Sequence, residues 1–406
     1  MKVVNITTND EGGAYYATLR ISEALKTVGV ESSVLLRNKM NNDNEGTEVC
    51  SGFVRVVSKA KNLVNLLLST AEVQMDFLAI DITKQEKVLE ADVVILHWTN
   101  SFVSYHGIKK LSKLGKPIVW VMHDMWLLTG GCHYDCYCGR YHDGCINCVY
   151  TKGNLKKFII KKTYKLKKNL INKVKPVLVM PSTWMKNCAE LSDITKDCIK
   201  QVIPNPIDLR KIYYTEEKPS YLDEIIKGKK VILFSALNAL ENKNKGYGYL
   251  YKAMELISED NYLLFVSGTK EKKEFDIGKV HVVCLGTFKN ANDMCKIYSM
   301  ADVFVAPSKQ DNYSNSVVEA MSCGVPAVAF NIGGMTDLIQ HKVNGYIVPY
   351  EDIDELKEGI VYCCNNKDAL SPKARLTREE TNSYEVIGRC YKDLCENLIE
   401  GRYESY

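Results

Sequence analysis

The sequence predicts an α/β protein made of two doubly wound parallel-sheet domains. Three observations carry this. Short apolar strands alternate with helical patterns from end to end, as strand–helix–strand crossovers require. Several strands are apolar throughout, such as Val93-Val94-Ile95-Leu96, which is expected when helices cover both faces of a sheet. Pro204-Asn205-Pro206-Ile207-Asp208 admits neither helix nor central strand and marks a boundary. A chain of 406 residues suits two domains at roughly 100–200 residues each.

In the first half, strands are expected at Val3–Thr7, Ser33–Leu36, Asp92–His97, Pro117–Met122, Val177–Pro181 and Ile199–Ile203. In the second they are expected at Val231–Ser235, Tyr262–Ser267, His281–Leu285, Asp302–Ala306, Pro326–Phe330 and Tyr346–Val348. Two sets of six imply an N-terminal domain over residues 1–206 and a C-terminal domain over 207–382. Residues 383–406 open on a helix with Val386, Ile387, Cys390, Tyr391, Leu394 and Leu398 at helical spacing, expected to pack back on the N-terminal domain. Two such domains facing each other leave a cleft, and open parallel sheets bind ligands at the carboxyl ends of their strands.

Hydrophobic residues make up 46% and charged residues 25%, which excludes a disordered tail, a collagen-like fibre and a coiled coil. The net charge of +4 is unevenly spread. Lys152 to Lys175 holds ten lysines and no acid, so the remaining chain is acidic on balance. Within this segment Leu155, Phe158, Ile159, Leu166, Leu170 and Val174 make residues 154–175 a basic amphipathic helix. It is either a solvated helix packed on its domain or a contact for an anionic membrane surface, at about 1 kcal/mol per lysine. No RNA- or DNA-binding motif accompanies it, so no nucleic-acid partner is expected. A second apolar stretch, Lys61-Asn-Leu-Val-Asn-Leu-Leu-Leu, reads first as a core helix. The start of the chain turns polar too soon for an export signal, and no run of about 18 apolar residues appears. The expected setting is cytoplasmic, with peripheral membrane contact as the extension of that reading.

The most informative stretch is Ala306-Pro-Ser-Lys-Gln-Asp-Asn-Tyr-Ser-Asn-Ser-Val-Val-Glu-Ala-Met-Ser-Cys-Gly-Val-Pro. A strand ends at Ala306, a loop follows, and Ser314-Asn315-Ser316 opens a helix with cap-type residues. The amides at such a helix start suit a diphosphate. Glu319 lies about one turn in; it repels phosphate but can accept hydrogen bonds from a ribose diol. Asp311, eight residues earlier on the loop, can hold a sugar hydroxyl. The plainer alternative for Glu319 is a solvated acid favoured by the helix dipole.

Four further features lie at strand ends. Gly333-Gly334 follows the Pro326–Phe330 strand, where glycine allows a ligand close to the backbone. Lys245-Gly246 follows the Val231–Ser235 strand, and its ammonium can neutralise a leaving diphosphate. Gly12-Gly13 lies between the first strand and a helix, a glycine pair and not a full dinucleotide fingerprint. His123-Asp124 ends the Pro117–Met122 strand, with Asp124 able to orient the His123 ring, and His97-Trp98 ends the strand before it.

Five of the 15 cysteines fall between Cys132 and Cys148, while the others read as small buried hydrophobes of a reducing compartment. Cys145-x2-Cys148 has zinc-knuckle spacing, and Cys132 and Cys138 complete four thiolates. A structural zinc, free thiols and disulfides are the three readings.

Asp311-x7-Glu319 with Ala-Met-Ser-Cys-Gly-Val-Pro resembles the acid-x7-Glu signature of retaining glycosyltransferases of family 4, which have the GT-B fold. Ala301–Ser308, Asn331-Ile332-Gly333-Gly334 and Asn344-Gly345 extend the resemblance, and the phrase His-Asp-Met-Trp-Leu-Leu-Thr-Gly-Gly-Cys-His-Tyr is similar to a bacterial polysaccharide-building subgroup with a Cys-rich loop. The resemblance implies a catalytic set of His123, Lys245, Asp311 and Glu319. It implies donor contacts from Gly12, Gly13, Ser314, Asn315, Ser316, Gly333 and Gly334, and an acceptor side at His97 and Asp124. It departs from the family at Asp311, where Glu is usual, and at Leu240, where an Arg is usual and Lys243 is the nearest substitute. The implied reaction is retaining transfer of a sugar from a UDP- or GDP-sugar to a saccharide or lipid-linked saccharide. No cofactor is required for catalysis, and zinc at the cysteines is structural. A nucleotide-sugar epimerase of related fold and a non-catalytic precursor-binding protein are the alternatives.

Overall fold

The computed structural model describes residues 1–37, 39, 45–49, 81–100, 102–151, 153–288 and 290–402. The apolar stretch starting at Lys61 lies outside them. The chain forms two compact units, Met1–Pro206 with Tyr384–Tyr406, and Ile207–Ser383.

In the first unit β1 (Lys2–Thr7), α1 (Gly13–Thr27), β2 (Glu31–Leu36) and β3 (Thr47–Glu48) are followed by α2 (Glu86–Glu90), β4 (Val93–Leu96), α3 (Tyr105–Ser112) and β5 (Ile118–Val121). After a long loop come α4 (Asn154–Val174), β6 (Val177–Met180), α5 (Thr183–Leu191) and β7 (Lys200–Val202). The strands form a seven-stranded sheet in the order β3-β2-β1-β4-β5-β6-β7, with every pairing parallel. β4 and β5 are buried at every position, because helices cover both faces.

In the second unit α6 (Asp223–Ile226), β8 (Lys230–Ser235), α7 (Tyr247–Glu255) and β9 (Tyr262–Ser267) lead to β10 (Lys273–Ile277) and β11 (Val280–Gly286). Then follow α8 (Ala291–Met300), β12 (Val303–Ala306), α9 (Asn315–Ser322), β13 (Ala327–Phe330), α10 (Met335–Leu338), β14 (Gly345–Val348), α11 (Ile353–Asn365) and α12 (Lys367–Asn382). The sheet runs β10-β11-β9-β8-β12-β13-β14, and only the β10–β11 pair is antiparallel. The last helix, α13 (Tyr384–Ile399), belongs to the first unit. There its Gly388 lies so close to α1 that an added Cβ would stand 2.2 Å from the Ala24 carbonyl oxygen.

All twelve expected strands are present, and two more extend each sheet by one. β3 and β10 are polar edge strands (Thr-Glu and Lys-Glu-Phe-Asp-Ile), so neither shows the apolar run that betrays a central strand. A larger departure concerns α4. Its buried face is Ile160, Thr163, Tyr164, Lys167, Leu170 and Ile171, while Leu155, Phe158 and Leu166 of the expected apolar stripe are exposed. Lys167 turns inward, donating to the carbonyls of Trp126 and Thr129 and lying 3.5 Å from the centre of the Trp126 ring. Two acceptors and an aromatic face make that burial tolerable for an ammonium.

Candidate active site

Both sheets reverse their strand order beside their first strand, between β1 and β4 and between β8 and β12. Loops leaving the carboxyl ends of those strands diverge and leave room for a ligand. Gly12 and Gly13 follow β1, His97 follows β4, Lys245 follows β8 and Asp311 follows β12, while His123 follows the neighbouring β5 and Gly333 the neighbouring β13.

In the second unit the loop after β8 carries Lys245 and the loop after β12 carries Asp311, and the two form an ion pair of 2.7 Å. Asp311 is buried and Lys245 half-exposed. Two glycines make this convergence possible. Gly246 has φ +77° and a Cβ there would lie 1.7 Å from the Pro307 carbonyl oxygen. Gly333 has φ +53° and a Cβ there would lie 1.8 Å from the Asp311 carbonyl oxygen. Both need the left-handed backbone and the missing side chain that only glycine supplies. Gly334 N–H then donates to the Asp311 carbonyl (3.1 Å), and Lys309 N–H to the Asn244 carbonyl (2.8 Å). The Asp311 loop is thereby clamped from both sides by backbone.

Helix α9 begins directly after this loop. Its first intrahelical bond runs from Val318 N–H to the Ser314 carbonyl (3.1 Å). The Ser314 hydroxyl does not cap the helix; it lies 3.1 Å from the Ser316 hydroxyl. The expected cap role of Ser314 therefore gives way to a hydroxyl pair, which leaves the helix start suited to an anion. Glu319 sits one turn on. Its Oε2 accepts from the Tyr298 hydroxyl (3.0 Å) on the buried face of α8. Tyr298 carries no spacing signal toward Glu319, and only the packing of α8 beside α9 brings the two together.

In the first unit the switch point carries a different chemistry. Gly12, φ +86°, has open space where a Cβ would sit, and Gly13 begins α1. His123 Nε2 lies 3.0 Å from His97 Nδ1, and His97 Nε2 lies 3.0 Å from Asn5 Oδ1. Burial lowers the pKa of both rings, His97 well below its ordinary value and His123 to about 4, with Asp124 opposing the shift in His123. His97 is 2% exposed with both ring nitrogens engaged, and it backs His123 while lining one small cavity with Trp98, His123 and Asp124. Asp124 accepts from Trp126 N–H (2.8 Å) and His133 Nδ1 (2.6 Å), so it holds the following loop while the His123 ring bonds to His97.

That loop carries the cysteines. Cys132, Cys138, Cys145 and Cys148 line one small cavity together with Ile160 of α4. All are free thiols, and burial raises the pKa of Cys132, Cys138 and Cys145, the last to about 11. The Gly130 N–H points at Cys145 Sγ (3.1 Å). Among the described residues no three His, Cys, Asp or Glu side chains stand in the arrangement of a metal site.

Residues 229–366 match the family model described as Glycosyl transferases group 1. The chain is 28% identical over 153 residues to an uncharacterized glycosyltransferase of Haemophilus influenzae, covering 35% of this chain and 43% of that protein. It is 25% identical over 213 residues to the UDP-Gal:alpha-D-GlcNAc-diphosphoundecaprenol alpha-1,3-galactosyltransferase of Escherichia coli, covering 49% and 54%. The chain thus spans about half, or less, of the length of these curated relatives. Among solved structures, sucrose-phosphate synthase from Thermosynechococcus elongatus matches with a TM-score of 0.66 at 14% identity, over 98% of this chain and 99% of that one. HepE of Anabaena in complex with UDP-glucose matches at 0.61 and 15%, over 98% and 100%. Residues 229–366 are therefore similar to group 1 glycosyltransferase sequence, within a chain whose two parallel-sheet domains have the GT-B fold.

Proposed function

We propose that this chain is a retaining glycosyltransferase that moves a sugar from a UDP- or GDP-sugar to a saccharide or lipid-linked saccharide acceptor in surface polysaccharide assembly. The carrying observation is the clamped Asp311 loop at the second switch point, with Lys245 paired to Asp311 and Glu319 one turn into α9. A diphosphate on the α9 amides places its negative charge near the Lys245 ammonium, and Glu319 is too acidic for phosphate but suited to the ribose diol. Glu319, held by the Tyr298 hydroxyl at Oε2, accepts from the diol. Asp311 takes a hydroxyl of the transferred sugar as Lys245 turns to the phosphates.

In the reaction the acceptor hydroxyl attacks the anomeric carbon on the face that the diphosphate leaves. The bond from that carbon to the diphosphate oxygen breaks, and the hydroxyl proton passes to the departing phosphate. Lys245 and the helix amides stabilise the growing charge. Named relatives support the donor and acceptor classes: one acts on an undecaprenyl-diphosphate-linked sugar and one structure holds UDP-glucose.

A lipid-linked acceptor also suits the lysine-rich outer face of α4. Leu155 and Phe158 are 69% and 62% exposed among those lysines, and no helix of the described residues is long and apolar enough to cross a membrane. Sedimentation with vesicles containing anionic lipid should retain the protein, and Leu155→Ser with Phe158→Ser should weaken retention at unchanged Tm.

The primary test is incubation with a panel of nucleotide sugars and lipid-linked or free saccharide acceptors, with the product anomer read by NMR. Transfer with retained configuration is expected. An inverted product, or hydrolysis and epimerisation without transfer, would overturn the reading.

A further inference from the structure

A buried arginine in the second unit lies behind the Asp311 loop. Arg378 of α12 is 1% exposed, and its guanidinium reaches three segments. Nη1 donates to Asn382 Oδ1 (2.8 Å) and to the Tyr313 hydroxyl (3.4 Å), and Nη2 donates to the Leu338 carbonyl (3.1 Å). Asn382 closes the ring, its Nδ2 donating to the Tyr313 hydroxyl (2.8 Å). Tyr313 and Asn382 are buried as well. Each contact leads to a part of the candidate site. Tyr313 stands two residues past Asp311 and directly before Ser314, where α9 begins. Leu338 ends α10, the short helix that follows Gly333-Gly334. Asn382 ends α12, and its own carbonyl accepts from Ile207 N–H (2.8 Å). Ile207 and Ser383 are the first and last residues of the second unit and pair as a parallel bridge. One guanidinium thus fastens the Asp311 loop and the helix after Gly333-Gly334 to the entry and exit of their own unit.

The orientation of each group follows from chemistry. A guanidinium only donates, so the Asn382 oxygen faces Arg378 and its amide nitrogen faces Tyr313. The phenol oxygen therefore accepts from two directions at once. Among the described residues no carboxylate forms an ion pair with Arg378, and its buried Nε has no acceptor. Burial lowers the pKa of Arg378 and raises that of Tyr313. Burying a cation without a counter-charge is unfavourable, and an apolar side chain would fill the same space with less loss. Stability alone does not favour an arginine here. What a guanidinium adds is a rigid planar fork that reaches several oxygens at fixed angles.

We propose that Arg378, acting through Tyr313, Asn382 and the Leu338 carbonyl, is a positioning residue that presets the Asp311 loop and the Gly333-Gly334 turn for the nucleotide-sugar donor. The donor half of this inference rests on the transferase reading above; the setting of the loop does not. At 1% exposure Arg378 meets no substrate itself, so its effect passes through the backbone that it holds. A loop already held in its bound position loses less freedom when the donor arrives, and the gain appears in donor binding.

The test uses the full chain and three variants. Tyr313→Phe deletes one oxygen, Arg378→Met keeps an apolar stem and removes every donor, and Arg378→Lys keeps the charge and donors on a flexible stem. Hydrogen exchange read by mass spectrometry should be about tenfold faster over residues 311–316 and 333–338 in Tyr313→Phe and Arg378→Met, with β8 and β12 unchanged. Arg378→Lys should fall between those variants and the native protein. In sugar transfer, KM for the nucleotide sugar should rise about tenfold in the first two variants, while KM for the acceptor stays within about twofold. Should Arg378→Met not fold, Tyr313→Phe carries the test. Native exchange over 311–316 in Tyr313→Phe overturns the positioning role, whatever the protein transfers. So does a lower kcat with both KM values native, the mark of a smaller folded fraction. Faster exchange over both segments in a protein whose native form transfers nothing supports the setting of the loop and sinks the transferase reading instead.

Discussion

The two switch points of this protein share a topology and differ in electrostatics. The one beside β8 and β12 is built from opposite charges, Lys245 against Asp311 with Glu319 close behind. The one beside β1 and β4 is built from neutral imidazoles whose pKa values are pushed down by burial. The lesson concerns what each can bind. A charged cluster can exchange its internal ion pair for a diphosphate, because the ammonium remains partly hydrated. A buried neutral cluster cannot host an anion, but it can aim a single lone pair or donor at a hydroxyl.

The largest expected effect comes from abolishing the charged side. Lys245→Ala should lower kcat for sugar transfer by ~10²–10³-fold, the usual loss when one group that stabilises developing charge is removed, and Lys245→Arg should recover part of it. Steady-state kinetics with saturating donor measures this; a near-native kcat in the alanine variant would mean that the Lys245 ammonium does not stabilise the leaving diphosphate.

Gly333→Ala tests whether the clamp on the Asp311 loop is real. Its Cβ meets the Asp311 carbonyl oxygen at 1.8 Å in a left-handed backbone, so the loop must move. A destabilisation of ~2 kcal/mol and a Tm lower by about 4 °C or more are expected, together with a raised KM for donor. Calorimetry and kinetics on the same sample separate the two effects.

Acid should expose the neutral side. His97 and His123 have pKa values below their unfolded value of 6.5, so the unfolded chain binds protons that the folded chain refuses. Their contribution is complete above 6.5 and is lost as pH falls toward about 4, the folded value of His123. Tm should therefore fall between pH 7 and pH 5, and His97→Gln should flatten that slope. A slope unchanged in the variant would mean that other groups dominate the acid response.

Much of the fold was legible because parallel strands inside a sheet carry apolar runs, and ten of the twelve expected strands are central, with β7 and β14 at edges. β3 and β10 were not legible, since an edge strand has one neighbour and keeps polar residues. The basic helix was legible as a helix but not in its orientation. Leu155 and Phe158 read as either packed on the domain or turned to a membrane surface, and they are exposed, while Lys167, one of the ten lysines of the basic segment, is buried against Trp126. Period alone places residues on a face; it does not say which of two mixed faces the neighbouring loop covers.

Local order along the chain was enough for the α/β class, the break at Pro204–Pro206, and the candidate residues at strand ends, because strand period, proline and glycine act over a few residues. The pairing of Lys245 with Asp311, the tyrosine behind Glu319 and the hydrogen-bonded run from Asn5 to His123 join residues separated by 21 to 92 positions. Those were decided by strand order and helix packing, since only the folded sheet sets β1 beside β4 and α8 beside α9, and a hydrogen bond depends on ångströms that no spacing along the chain encodes.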